Sequence, residues 1–317
     1  MVIVDHDAGW PRRYRAERAR VAEALGESAI DIEHIGSTAV PGLAAKPVVD
    51  MMVGMSGRAA ADDALPRLAA IGYTDVSPGD GHPGWYYCIG SGAKPHDVHL
   101  HLVRHGGNFW ERHLLFRDYL RGHPDTAAEY GRLKRRLAEQ YGADRQGYCD
   151  AKTGFVRSVE VRARGLAVRP MTGDDVGPMF ETFRRRGRER IRYQRYLLQQ
   201  REGGRVVLVA AGPSGPVAGY CALVWRPRYE PFRAAGTPEV VDLNVIEEWQ
   251  RKGVGTALVH EADRRARERG ARVLGISVVR DPDYRAAAEL YRRLGFAPDG
   301  RGPTPGDNEL HLEKPLA

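Results

Sequence analysis

A short basic turn with two glycines, placed between an apolar strand and an amphipathic helix, constrains the fold of this chain most. We predict the strand over 239–245 and the helix over 253–269. The turn and the first helical residues are Gln250, Arg251, Lys252, Gly253, Val254, Gly255 and Thr256. Backbone N–H groups at a helix start lack partners within the helix, and the helix dipole favours negative charge there. The glycines keep Cβ atoms away from an approaching phosphate, so the turn predicts an anion site. Its spacing differs from both the P-loop and the G-x-G-x-x-G pattern.

The length of 317 residues predicts about two domains. Apolar patterning ends one helix near 161 and begins a new strand at 166, so we place the boundary at 164/165. The two predicted domains are therefore 1–164 and 165–317. Strands and helices alternate through both, which predicts an α/β (α+β) fold class for each.

Two further segments accompany the turn in the second domain. The strand before it ends in Leu243, Asn244 and Val245, and a later segment reads A-A-E-L-Y-R-R-L-G-F over 287–296. Together with the turn they resemble the GCN5-related N-acetyltransferase (GNAT) family over roughly 166–317. The resemblance implies that acetyl-CoA is the cofactor, with its pyrophosphate on the turn and its pantetheine arm along the strand.

The same resemblance implies direct transfer of an acetyl group to a primary amine of a small molecule. It implies that Tyr291 donates a proton to the departing thiolate. The alternative is that Tyr291 is only an aromatic residue of the core. Glu239 and Asp242 are candidate bases, and Glu239 would accept the proton through a water. Each of them could equally be a surface or ion-paired carboxylate. Many relatives carry Asn where this chain has Tyr284. The charged and aromatic segment 225–232 is a candidate wall of the acceptor pocket.

A second signal lies near the N-terminus, where residues 34–50 read H-I-G-S-T-A-V-P-G-L-A-A-K-P-V-V-D. This segment closely resembles the hallmark of the GrpB family, and 98–102, 116–121, 133–134 and 148–152 fit the same family. The resemblance covers roughly 5–163 and implies a nucleotidyltransferase-like mixed sheet with helices.

In the nucleotidyltransferase superfamily a Gly-Ser pair opens a helix that receives phosphate, which implies a nucleotide or phosphate site at Gly36 and Ser37. Lys46 and Arg117 are candidate phosphate ligands, with surface ion pairs as the alternative. Asp50 is the first expected magnesium ligand, but Met52 stands where the second carboxylate belongs.

Two histidines on one strand provide a different set of candidate metal ligands. His99 and His101 alternate and so share a face. With Asp50 they predict a divalent site for Zn²⁺ or Mn²⁺, although partly buried polar groups are the alternative.

Three hypotheses follow. The first is an acetyl-CoA-dependent N-acetyltransferase that also carries a nucleotide- or phosphate-binding GrpB domain. The second adds nucleotidyltransferase or phosphotransferase activity, as in a bifunctional aminoglycoside-modifying enzyme. The third makes the GrpB half a non-catalytic module for a ligand or for homodimer formation.

Composition and charge indicate where the protein acts and which partners to expect. No apolar run approaches the ~20 residues of a membrane span, and the N-terminus lacks a secretory pattern, so we expect a cytoplasmic protein. Three widely spaced cysteines predict neither disulfides nor a zinc ribbon. The net charge is +7, and one arginine run lies over 184–190. No aromatic ladder accompanies the run, so nucleic acid is not expected; a solvated face or an anionic partner remains open.

Overall fold

The computed structural model describes residues 2–77, 84–90, 97–184, 190–213, 216–303 and 308–316. The chain divides into two compact units, Met1–Lys152 and Thr153–Ala317. Both are mixed α/β, so the predicted fold class and the two-domain organisation are confirmed. The boundary at 164/165 stays a prediction. Most of the predicted arginine run, residues 185–189, lies outside the described part of the chain.

The first unit contains a five-stranded sheet in the order β1-β2-β5-β4-β3 among the described residues. Strands β2 and β5 are parallel, and the other neighbours are antiparallel. The strands are β1 (Asp31–Ile35), β2 (Val49–Met55), β3 (Tyr73–Asp75), β4 (Tyr86–Gly90) and β5 (Val98–Arg104). The helices are α1 (Trp10–Leu25), α2 (Arg58–Ala70), α3 (Asn108–Gly122) and α4 (Pro124–Tyr141).

Alternation along β5 positions the first candidate site. Val98, Leu100 and Leu102 are buried in the core, whereas His99 and His101 point to the other face and are half-buried. The parallel register pairs His99 with Asp50 of β2. Burial of each core side chain contributes about 1.5–3 kcal/mol, which makes a one-residue register slip unfavourable.

The second unit contains a seven-stranded sheet in the order β11-β12-β10-β9-β8-β7-β6 among the described residues. Only β9 and β10 are parallel neighbours there. The strands are β6 (Ala167–Pro170), β7 (Arg205–Ala211), β8 (Val217–Val224), β9 (Glu239–Val245), β10 (Val273–Val279), β11 (Ala297–Pro298) and β12 (Glu309–Pro315). The helices are α5 (Arg145–Ala163), which begins in the first unit, and α6 (Val176–Phe183), α7 (Arg190–Arg201), α8 (Glu230–Ala235), α9 (Val254–Glu268) and α10 (Arg285–Arg293).

Helices cover both faces of this second sheet. On one face α9 and α10 pack against Leu208, Leu223 and Val240. On the other face α6 and α7 pack against alternate residues of the same strands, including Val207 and Val209. Because both faces are covered, β7 and β8 read as nearly continuous apolar runs. In the described part of the chain, no helix is long and apolar enough to cross a membrane.

Candidate functional site

The start of α9 is open for an anion. Gly253 precedes the helix with φ 91°, a left-handed conformation that glycine adopts without strain. Among the residues that the structure describes, no side chain caps the helix, and the N–H groups of Val254, Gly255 and Thr256 have no intrahelical partner. The Gln250 amide donates to the Val245 carbonyl oxygen at 3.2 Å and ties the turn to the end of β9. Gln250 thus positions the turn, whereas Arg251 and Lys252 are exposed.

The two glycines also allow close packing around the turn. A Cβ at Gly255 would lie 3.2 Å from Leu290 Cδ2, and one at Gly253 would lie 3.2 Å from Arg157 Cδ. Both distances are tighter than ordinary van der Waals contact, so a larger residue at either position would displace its neighbours.

Strands β9 and β10 separate beside this turn. They pair only at Glu239 with Gly275 and at Val240 with Ile276. Beyond Val240, β9 keeps its pairing with β8 but has no register partner in the described residues of β10. The pairing with β8 is interrupted near Asp242, whose φ is 55°. The backbone edge of 241–245 is therefore available to an extended ligand, as the resemblance implies for pantetheine.

These features fit acetyl-CoA. Its pyrophosphate needs backbone donors in an electropositive setting, which the uncapped α9 start and the two neighbouring cations provide. Its pantetheine arm needs an unpaired strand edge, which the separation of β9 from β10 provides.

Tyr291 lies on α10 and is buried in the core together with Cys221 and Leu294. Burial raises the pKa of its phenol, so the hydroxyl keeps its proton at neutral pH. A protonated hydroxyl suits the predicted donor role, and the packing equally suits a core aromatic. Tyr284, which stands where many relatives carry Asn, is 49% exposed.

A cleft of about 1270 Å³ opens on the face of the sheet opposite to α9. Both predicted bases, Glu239 and Asp242, line it. Of the predicted pocket wall 225–232, residues 226–231 line the cleft. The two end residues lie elsewhere: Trp225 packs under Arg269 at 4.2 Å, and the buried Phe232 covers Gly275.

Glu239 belongs to a hydrogen-bonded chain of three side chains. The Ser277 hydroxyl donates to Glu239 Oε1 at 2.5 Å, and Ser277 Oγ lies 2.7 Å from His311 Nδ1. Because Ser277 donates to the carboxylate, its oxygen accepts from Nδ1–H, which leaves Nε2 of His311 as an acceptor. Burial raises the pKa of Glu239, although the Ser277 hydrogen bond opposes the shift. Burial lowers the pKa of His311, so its imidazole is neutral at pH 7. Sequence reasoning missed Ser277 and His311, since neither belongs to a motif.

Asp242 is already engaged by two neighbours. The Tyr196 hydroxyl donates to its carboxylate, and Arg192 lies 3.8 Å from it. Both partners lie at Oδ2 of the carboxylate. Glu239 is therefore the better candidate for proton transfer.

The predicted metal set of the first unit has no support. Asp50 and His99 lie in register and share a 3.1 Å hydrogen bond. His101 instead packs its ring between Tyr87 and Phe109, at centroid distances of 5.0 and 5.5 Å. Within the described residues no group of three or more potential ligands could hold a metal ion. His99 uses Nδ1 on the carboxylate, and two aromatic rings pack against His101.

The predicted phosphate ligands lie in different environments. Gly36 has φ 70°, and a Cβ there would collide with the Asp50 carboxylate at 2.5 Å. Ser37 lies beside it and is partly exposed, and Lys46 is exposed. Arg117 is buried and bonded to Glu33, to Asp118 and to the His34 carbonyl oxygen, so its contacts are structural.

A lysine that sequence reasoning did not single out lies at Ser37. Lys134 is 3% exposed and donates to Ser37 Oγ at 2.8 Å and to the Ala44 carbonyl oxygen. Burial and the nearby Lys152 lower its pKa to about 7, against the attraction of Asp50. Its only sequence signal was membership of the pair 133–134, which fits the GrpB pattern.

Comparison with known proteins matches both halves of the chain. The family model described as GrpB protein covers residues 1–162. The chain belongs to the GrpB family. A UPF0157 protein of Streptomyces coelicolor is 40% identical over 166 residues, which are 51% of this chain and 83% of that protein. The crystal structure of GrpB from Enterococcus faecalis is 32% identical and covers 51% of this chain and 96% of its own, with a TM-score of 0.46.

The GrpB-family chain carries a second domain. The model of the acetyltransferase (GNAT) family matches residues 174–296. The chain is therefore an acyltransferase in which a GrpB domain precedes a GNAT domain. The PaiA N-acetyltransferase of Thermoplasma acidophilum, solved with coenzyme A, is 16% identical and covers 47% of this chain and 98% of its own, with a TM-score of 0.39.

Proposed function

We propose that the GNAT domain transfers the acetyl group of acetyl-CoA to a primary amine of a small molecule. The observation that carries this proposal is the uncapped start of α9 beside the separation of β9 from β10. One element offers backbone donors for a pyrophosphate, and the other offers a strand edge for an extended arm.

The residues of the cofactor site divide by role. Backbone N–H groups of Val254, Gly255 and Thr256 would hold the pyrophosphate, with Arg251 and Lys252 adding positive charge. The edge of Leu243, Asn244 and Val245 would bind the pantetheine arm. Acetyl-CoA, when bound, supplies an acetyl group activated as a thioester.

Proton movements then fall to the side chains of the cleft. An ammonium must lose a proton before its nitrogen can attack, and Glu239 accepts it directly or through a water. Ser277 and His311 hold that carboxylate in place, and the carboxyl is neutral once it has accepted the proton. Tyr291 donates its hydroxyl proton to the departing thiolate. Asp242, held by Tyr196 and Arg192, shapes the cleft wall.

Acetyl-CoA binding to the full chain tests the proposal, measured by calorimetry beside thiol release on a panel of amines. The test variant is Gly253→Ala, with Gly270→Ala as its matched control. Both glycines have positive φ, at 91° and 78°, and a Cβ at Gly270 meets nothing within 4 Å. We expect the wild type and the control to bind acetyl-CoA and the test variant to bind at least about tenfold more weakly. Absence of binding to the wild type overturns the proposal.

We propose in addition that the GrpB domain binds a phosphoryl group at Ser37 and Lys134. Lys134 is buried, yet it donates to two neutral oxygens, Ser37 Oγ and the Ala44 carbonyl, so the site favours an anion. Met52, fully buried, leaves Asp50 without the second carboxylate that magnesium chemistry needs, so the proposal is binding and not nucleotidyl transfer.

Calorimetry with inorganic phosphate and with ATP at pH 6.5 tests this second proposal. We expect the wild type to bind these anions. We expect Arg132→Ala, an exposed change on the same helix, to bind them too, and Lys134→Met to lose the binding. Equal binding by Lys134→Met contradicts it. The cytoplasmic location and the homodimer stay predictions.

A further inference from the structure

The cleft that holds Glu239 is also lined by arginines. Its wall includes Arg192 and Arg195 of α7, Arg205 at the start of β7, and Arg226 and Arg228 after β8. Arg192 approaches Asp242 at 3.8 Å. Among the described residues, no carboxylate lies within ion-pair distance of the other four. The carboxylates Glu230, Glu239, Asp242 and Glu309 also line the cleft. The arginines that lie beyond ion-pair distance of any described carboxylate therefore mark the part of the cleft that favours an anion.

Arg205 is the best placed of these side chains. It is half-buried, and its guanidinium lies 4.7 Å from the centre of the Tyr196 ring. Stacking on an aromatic ring leaves the N–H edge of a guanidinium free, and this edge matches a carboxylate or phosphate with two parallel hydrogen bonds. Tyr196 is itself fixed by its bond to Asp242.

Sheet register relates this arginine to the proposed base. Arg205 pairs with Val224, and Val224 pairs with Glu239. Directly paired residues point to the same face of a sheet, so Arg205 and Glu239 face the cleft together. Two strand spacings separate their backbones by about 10 Å. A molecule whose amine lies at Glu239 therefore extends toward Arg205.

We propose that the acetyl acceptor carries an anionic group, a carboxylate or a phosphate, and that Arg205 binds it with Arg195 and Arg226 at the rim. This inference rests on the proposed acetyltransferase function and names its substrate class. It disfavours acceptors that place a second positive group beside Arg195, Arg205 and Arg226, because like charges repel.

Matched acceptor pairs test the substrate class by thiol release. Alanylphenylalanine and its C-terminal amide differ in the carboxylate, and O-phosphoserine amide and serine amide differ in the phosphate. We expect the wild type to favour the anionic member of at least one pair by about tenfold or more in kcat/KM, as a charge-assisted hydrogen bond allows. Arg205→Gln should abolish that preference, and Arg201→Gln, an exposed change on α7 outside the cleft, should retain it. Equal use of both members of each pair, or preference for the uncharged members, overturns the inference.

A binding measurement keeps the inference testable whatever the amine. Glutarate and inorganic phosphate are titrated separately into the wild-type chain and into Arg205→Gln, with acetyl-CoA titrated on the same samples. We expect one anion to bind the wild type and to lose about tenfold or more in affinity in Arg205→Gln, with acetyl-CoA affinity unchanged. Anion binding that is absent from the wild type, or equal in both proteins, contradicts the arginine site. Loss of acetyl-CoA binding by the wild type contradicts the proposed function instead.

Discussion

Ser277 donates a 2.5 Å hydrogen bond to Glu239 across the two strands that stop pairing directly beyond this point. The bond holds the proposed base at the fork between β9 and β10, where the cofactor and the acceptor would meet. The Ser277 hydroxyl thus bridges the two strands and also lowers the pKa of Glu239 against the effect of burial, which raises it.

Replacing that hydroxyl should change the pH profile. Ser277 stabilises the charged form of Glu239, so Ser277→Ala raises a pKa that burial has already raised. Since the base is lost as pH falls through its pKa, we expect the acid limb of kcat/KM to move to higher pH. Ser277→Thr keeps the hydroxyl and serves as the control. An unmoved acid limb in Ser277→Ala would exclude Glu239 as the titrating base.

Tyr291→Phe separates catalysis from packing. The substitution keeps the ring and removes only the hydroxyl. We expect kcat to fall about 100-fold, as the loss of a general acid does, with acetyl-CoA affinity and thermal stability little changed. Thiol-release kinetics and calorimetry measure the two effects. An unchanged kcat would make Tyr291 a core aromatic only.

Arg117 should matter for stability and not for ligand binding. It is buried, and its guanidinium lies 2.5 Å from Glu33 Oε2 and 2.7 Å from Asp118 Oδ1. Breaking a fully buried pair costs about 3–5 kcal/mol. Glu33 and Asp118 are 28% and 55% exposed, so we expect a smaller loss, which includes the packing and the His34 carbonyl contact of Arg117. We expect Arg117→Ala to lower the unfolding temperature strongly and exposed Arg132→Ala to leave it nearly unchanged. Similar melting of the two variants would contradict the structural role.

His34 should make the first unit sensitive to acid. It is buried, its Nε2 lies 3.0 Å from Thr38 Oγ1, and burial lowers its pKa to about 4. The unfolded chain binds the proton near pH 6.5, so stability is lost as pH falls from 6.5 toward 4. The contribution of this one residue is at most about 3 kcal/mol. Urea unfolding of wild type and His34→Gln between pH 7 and 4.5 should show a smaller loss in the variant; parallel curves would exclude His34.

Lys134 should act at the opposite end of the pH range. Its folded pKa of about 7 lies below its ordinary value of 10.5, so the unfolded chain binds more protons between these values. Stability therefore rises with pH from about 7 to about 10 through this group. We expect the wild type to gain stability relative to Lys134→Met over that range in thermal unfolding. A constant difference between the two proteins would show that Lys134 titrates normally.

The sequence alone determined the features that depend on contiguous residues. The turn 250–255 between a strand and a helix, the segment around Tyr291 and the motif 34–50 each identify a local structure, because propensity and periodicity act over neighbouring positions. They were enough to predict two α/β domains and the families to which the domains belong.

Only the tertiary structure decided which distant side chains meet. Ser277 and Glu239 are 38 positions apart, and Lys134 and Ser37 are 97 apart, so sheet register and helix packing bring them together. Packing likewise made Arg117 a buried structural residue and placed the His101 ring between Tyr87 and Phe109. The physical reason is that burial, hydrogen-bond partners and pKa depend on what surrounds a side chain, and those surroundings come from segments far away in the chain.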